Sequence, residues 1–242
     1  MCEGAEIMVT AGAHDAGPRE GRPGATTLAW AALAGVVGYV AVDVLLAFLR
    51  PDYSLLYNAE SDYGNGPWFW VMDLNFLLRC ALSLAAAGAL ARSAAPGTRI
   101  RGGLILLAIW AVCSGLLAFF TDNIEGQPVH GSGGVHLLLA FIGFVCVAVA
   151  TIVISARLRS DPGWHPAAGL LLAVSIAGAV AFLLLGSATG HKHAPAGLYE
   201  RIFLGVELLW IALAAVRVTV RNRPGRQGPA GVTARASAQL PG

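Results

Sequence analysis

Charge is what this sequence has least of. Only 12% of its 242 residues are Asp, Glu, Lys or Arg, about half the roughly 25% of an ordinary soluble domain. Lysine is nearly missing: Lys192 stands alone beside fifteen Arg, which we read as composition bias rather than mechanism. The formal net charge is only +2, so there is no broad basic field of the kind that holds nucleic acid. Cysteine is scarce as well. Cys2, Cys80, Cys113 and Cys146 form no C-x-x-C pair, which speaks against a zinc ribbon or a disulfide framework. The last three lie inside apolar runs and read as small buried apolar side chains. No G-x-S-x-G elbow, P-loop, dinucleotide fingerprint or H-E-x-x-H occurs, and no fixed-period repeat is visible. The low charge, taken with the chain's long apolar segments, excludes a disordered chain, a secreted disulfide scaffold and a typical soluble enzyme.

What the chain does have is long apolar segments. Residues of apolar type make up 56% of it, and a spanning helix needs about 20 of them in a row. Six windows qualify, at 27–49, 67–91, 102–121, 134–156, 166–187 and 197–219. Each is bounded by charge, Pro or Gly. The expected fold is therefore all-α: a polytopic membrane protein built as a bundle of six transmembrane helices over residues 27–220. Residues 1–26 lack an apolar core and read as a disordered tail rather than a signal peptide. The first span would then act as an uncleaved signal anchor. Residues 221–242, rich in Arg, Gly and Pro, read as a second disordered tail.

The bases set the direction. Twelve Arg fall on the side that holds both tails, against Arg50, Lys192 and Arg201 on the other; Arg79 lies within a span. The positive-inside rule puts the twelve, and so both termini, in the cytoplasm of a cell-membrane protein. Three connections, near 50–66, 122–133 and 188–196, then face outward. They carry most of the chemically able side chains, including His130, His136, His191 and His193.

Four ionisable residues sit inside spans. Asp43 and Asp73 lie roughly 9 Å below the outer boundary, Glu207 roughly 15 Å and Arg79 roughly 18 Å, at 1.5 Å per residue. A charge at the bilayer centre costs about 2.5–3.5 kcal/mol on insertion scales. Such groups need partners or water, and a polar funnel opening outward satisfies all four. Arg79 paired with Glu207 or Asp73 as a packing bridge is the structural alternative.

Three constellations stand out in the outward loops. Glu60 to Pro67 combines turn-forming Gly and Asn with a Pro at the start of the second span; Ser61 and Asp62 are its candidate binding groups. Trp68, Phe69 and Trp70 read as an interfacial aromatic belt. Asp122, at the end of the third span, and His136, opening the fourth, are joined by a short loop. They could make an acid–base pair, hold a headgroup or share a metal such as zinc, or be plain loop polarity. Tyr199-Glu200-Arg201 opens the sixth span, where Arg201 could clamp a phosphate or pair with an outer acid.

The motifs Pro51-x-Tyr53-Ser54, Ser61-Asp62-Tyr63-Gly64, Phe120-x-Asp122, Gly133-x-x-His136 and Gly197-Leu198-Tyr199-Glu200-Arg201 fall in order at matching ends of the spans. In these the chain resembles the domain of unknown function 998 family of prokaryotic membrane proteins over residues 28–220. It is more distantly similar to the six-span group of GPI-anchor lipid-remodelling and autophagy-modulator membrane proteins. The resemblance implies a six-helix bundle with these motifs gathered on the non-cytoplasmic side, and it singles out Ser61, Asp62, Asp122, His136, Glu200 and Arg201. It assigns no activity.

Three functional readings follow. In the first, membrane lipids are the partner: Arg201 holds a headgroup phosphate while Asp122 and His136 transfer a proton. In the second, Asp43, Asp73, Arg79 and Glu207 form the network of a non-catalytic sensor, assembly factor or small permease. The third is a ceramidase-like membrane metallohydrolase, a group that also carries a Ser, an Asp and several His among its spans. This chain lacks the paired His at helical spacing that such a site would need in a late span, and no cofactor is required by the first two readings.

Overall fold

A computed structural model describes residues 24–123, 131–189, 191 and 194–222. Apart from their innermost positions, the two tails expected at 1–26 and 221–242 lie outside the described residues, as do His130 and His193. Six α-helices follow one another: α1 Ala25–Leu49, α2 Phe69–Ser93, α3 Arg101–Leu117, α4 Gly131–Leu158, α5 His165–Ala188 and α6 Ala196–Arg221. A short 3₁₀ helix, Glu60–Gly64, interrupts the α1–α2 connection. No strand occurs among the described residues. Five of the six helices are long and apolar enough to cross a membrane, and α3, with 17 residues, is the short one.

Each helix packs against its neighbours in the chain, and α6 returns to α1 to close a ring, with α2 and α6 also meeting across it. The polarity of the bundle is that of a membrane protein. Val37, Phe48, Phe119 and Leu183 are each about 70% exposed or more, an apolar surface that water would not tolerate and acyl chains would. Asn75, Arg79, Ser83, Ser114, Thr151, Ser155, Ser175 and Glu207 are turned inward and buried.

Two of the boundaries that differ from the apolar windows have a local reason in the contacts around them. The second helix starts at Phe69 rather than at Pro67, because Gly66 and Trp68 both take positive φ, 70° and 69°. The Pro67 carbonyl, which could have begun a helix, instead accepts from Arg50 Nη1 at 3.1 Å. The third helix ends at Leu117, not 121. Turn-type bonds from Phe119 N to Leu116 O and Phe120 N to Leu117 O bend the chain there, so Asp122 sits in a connection beyond the helix rather than at its last turn.

The end of the bundle opposite the 3₁₀ helix is tied by one side chain. The Asp161 carboxylate accepts from Ala95 N at 2.7 Å and Gly163 N at 2.9 Å, and lies 3.7 Å from Arg221 Nη1. It thus joins the α2–α3 and α4–α5 connections to the end of α6.

Candidate functional site

The long α1–α2 connection folds back over the bundle end, and two arginines hold it. Arg50 donates to the carbonyls of Asn65 and Pro67, pairs with Asp52 at 2.9 Å and stacks 4.2 Å from the Tyr53 ring. Arg201, on α6, donates from Nη1 to Asn58 O at 2.8 Å, with longer bonds to Leu55 O and Gly197 O, and lies over the Tyr63 ring. Leu198 N also bonds Leu56 O. Its guanidinium is therefore engaged with the connection's backbone rather than aimed into a cavity.

Beneath this cap lies a buried polar network. The Tyr39 hydroxyl donates to Glu60 Oε1. Arg79 donates from Nη1 to the Tyr39 hydroxyl at 2.9 Å and from Nε to Ser114 Oγ at 3.1 Å. Its guanidinium also rests on Trp110 at 4.8 Å and Phe76 at 5.2 Å, distances at which a cation is drawn to a ring face. The Glu60 amide donates to Glu200 Oε2 at 3.0 Å. Arg79 thus pairs with neither Glu207 nor Asp73. The four in-span ionisable residues do not form one network: Asp43 feels the charge of Arg201, Asp73 neighbours His136, and Glu207 stands apart.

Burial, reinforced by the nearby Asp43 carboxylate and opposed by Arg79 and Arg201, raises the Glu60 carboxyl from 4.5 to about 7. The folded protein thus holds this proton more tightly than the unfolded chain does. The stability it contributes is present below about pH 4.5 and is lost as pH rises through about 7. Melting curves of wild type and Glu60→Gln across that window should show the wild type losing stability relative to the variant as pH rises. A difference that is flat, or that grows in favour of the wild type, would contradict the assignment.

A second group of polar side chains faces a cavity of about 760 Å³ between the cap, α4, α5 and the start of α6. Ser61 Oγ donates to Asp122 Oδ2 at 2.5 Å, and His136 Nε2 lies 3.5 Å from the same oxygen. His136 Nδ1 is 2.6 Å from the Phe120 carbonyl oxygen. A carbonyl can only accept, so Nδ1 carries a hydrogen, and Nε2 is the ring nitrogen that faces Asp122. Nε2 has no hydrogen-bond partner. A polar group entering here would meet the unpartnered His136 Nε2 and the Asp122 carboxylate side by side, with Ser61 already ordered on the carboxylate. That is the geometry of an acid–base pair or of a donor-binding site.

The sequence-derived candidates separate accordingly. Ser61, Asp62, Asp122, His136 and Glu200 all line the cavity, and His191 joins them. Arg201 is not among its walls. Asp62 accepts from Asn58 Nδ2 at 3.3 Å. Among the described residues no group of three His, Cys, Asp or Glu is placed to hold a metal; Asp122 and His136 supply two donors. Reading the sequence for sites passed over Tyr39, Glu60 and Ser114. Tyr39 carried a signal, since it is four residues from Asp43 and so on the same face of α1.

The family described as "Protein of unknown function (DUF998)" matches residues 9–217. No curated protein and no solved structure matches the chain.

Proposed function

The chain belongs to the DUF998 family of proteins of unknown function, and from that premise we propose that this multi-pass membrane protein binds the headgroup of a membrane lipid in the cavity under its cap. The observation that supports the reading is the cavity's two-sided lining. At the bundle end its walls are Ser61, Asp62, Asp122, His136 and Glu200; between α4 and α5 they are Phe141, Phe144, Phe182 and Leu185. Leu137 and Phe141 belong both to this wall and to the exposed outer face of α4. An amphiphile could thus lie with its polar end against Asp122 and His136 and its chain passing sideways into the bilayer.

The distribution of arginines supports an outward-facing cavity. Among the described residues Arg50 and Arg201 are the bases at its end, while Arg92, Arg99, Arg101, Arg157, Arg159, Arg217 and Arg221 lie toward the other, which the positive-inside rule assigns to the cytoplasm. Asp122 and His136 act on the bound headgroup by accepting and returning a proton. Arg201 acts at one remove, by holding the cap that forms one wall. The metallohydrolase reading has no third donor among the described residues and is not carried further.

The test is lipid retention by purified protein, read by native mass spectrometry from nanodiscs of bacterial lipid. Asp122→Ala and His136→Ala should each reduce retained lipid by about tenfold or more, the loss expected for one charge-assisted contact. Wild-type retention in both variants would overturn the proposal. It would favour the non-catalytic module instead, in which the buried Arg79 network is structural and the cavity idle.

A further inference from the structure

Glu207 is the most deeply buried of the in-span acids, and its surroundings are built to hold it. It lies on α6 seven residues beyond Glu200, about 10 Å deeper into the bundle. It is 2% exposed, and neither carboxyl oxygen has a hydrogen-bond partner. Space for the carboxyl comes from Gly178 on α5, where an added Cβ would stand 2.5 Å from Oε1.

The hydroxyls around it have other acceptors within reach. Thr151, beside it on α4, has its hydroxyl 3.2 Å from Ala148 O, so it can donate there while accepting from the neutral Glu207 acid. One turn further along α4, Ser155 accepts from Trp210 Nε1 at 2.9 Å and lies 3.1 Å from Ser175 Oγ, which donates to Leu171 O. Ser155 therefore spends its hydrogen on Ser175. No charged group acts on Glu207, and Arg79 is committed to Tyr39 and Ser114.

Above it the route to the cavity is closed by rings. Phe203 sits one turn nearer the cavity on α6, and it packs 4.9 Å from Phe144 and 5.4 Å from Phe182, both of which line the cavity. A bare carboxylate in such a place is buried with no cation beside it, and a buried unpaired charge costs several kcal/mol. The neutral acid, by contrast, has an acceptor waiting at Thr151 Oγ1.

We propose that Glu207 is a proton-binding site within the membrane, its O–H donated to Thr151 Oγ1, and that the Phe144–Phe182–Phe203 cluster separates it from the polar cavity. The ligand is a proton alone. A metal cation would need further ligands, and among the described residues no group of three His, Cys, Asp or Glu is placed to supply them. Proton exchange with the cavity then requires the rings to part. The inference does not depend on what the cavity binds.

The experiment is infrared difference spectroscopy on the full chain in nanodiscs at neutral pH. Wild type minus Glu207→Gln should show the C=O stretch of a protonated carboxylic acid. On transfer to D₂O that band should shift slowly in wild type and at least about tenfold faster in Phe144→Leu, the change for one and a half kcal/mol of barrier. Carboxylate stretches in place of the C=O band would overturn the site, and equal exchange rates would overturn the separation. Glu207→Gln mimics the neutral acid, so its melting temperature should lie within about 2 °C of wild type. A larger fall, or failure to fold, would mean that the side chain carries a charge the structure depends on, and would equally overturn the proposal.

Discussion

Replacing Arg79 by Leu is expected to cost about 3–5 kcal/mol, the range seen when one partner of a buried charged pair is removed, and so to leave little folded protein to purify. The reasoning is an account of what the guanidinium touches. It is 2% exposed, donates to Tyr39 and Ser114, and is packed on Trp110 and Phe76. Leu would fill part of the volume but would strand the Tyr39–Glu60 pair with Asp43 close by and Arg201 as the remaining cation. Arg79→Lys restores the charge without the planar fork and should fall between wild type and Leu. The decisive comparison is the double variant Arg79→Leu with Glu60→Gln. If the loss comes from an uncompensated acid, neutralising Glu60 should recover about 1–3 kcal/mol, a coupling typical of residues in one network. Thermal unfolding in detergent reads all three. A single Arg79→Leu variant as stable as wild type would mean that the network does not hold the bundle together.

That network also marks where reading the sequence stops. The helices were legible because lipid imposes one rule on composition: about 20 apolar residues in a row, with every backbone group satisfied inside the helix. All six were found, and five began and ended within three residues of their windows. The ends of α2 and α3 were not legible, because they depend on contacts across the chain. Arg50 takes the Pro67 carbonyl, and the turn after Leu117 delivers the Phe120 carbonyl to His136. Ser61, Asp122 and His136 were visible as candidates from their place at the ends of spans. Their convergence on one carboxylate oxygen was not, since Ser61 and Asp122 are 61 residues apart. Arg201 shows the reverse: an arginine on the side with few bases suggested an anion clamp, but backbone carbonyls of the cap use its Nη1 hydrogens. Glu60 was hidden for a different reason. In a loop of mixed polar residues nothing distinguishes the acid that turns inward from those that face solvent.

The cap over the cavity depends on one close approach of backbone to backbone, at Gly197, and Gly197→Ala should undo it. A Cβ at this position would fall inside the van der Waals radius of the Asn58 carbonyl oxygen. That oxygen cannot rotate away. It belongs to the main chain, accepts from Arg201 Nη1, and lies in a turn that the Asn58 side chain closes on Ser54 N at 2.9 Å. The connection must instead lift from α6, which strains the bonds from Leu198 N to Leu56 O and from Glu60 N to Glu200 Oε2. Overpacking costs about 1–3 kcal/mol, and each lost hydrogen bond adds about 0.5–1.5 kcal/mol, so a loss of about 2–4 kcal/mol is expected. Lifting the cap also moves Tyr57, Ser61 and Asp62 away from Glu200 and opens the polar half of the cavity. Retained lipid should therefore fall along with stability, although Gly197 itself is not a cavity residue. Gly205, eight residues further along α6 with nothing within 4 Å of its Cβ position, provides the control. There the same substitution should stabilise by about 0.5–1 kcal/mol through helix propensity. If Gly197→Ala and Gly205→Ala melted alike, the cap would not rest on α6, and Arg201 would be free to play the anion-binding part that its position first suggested.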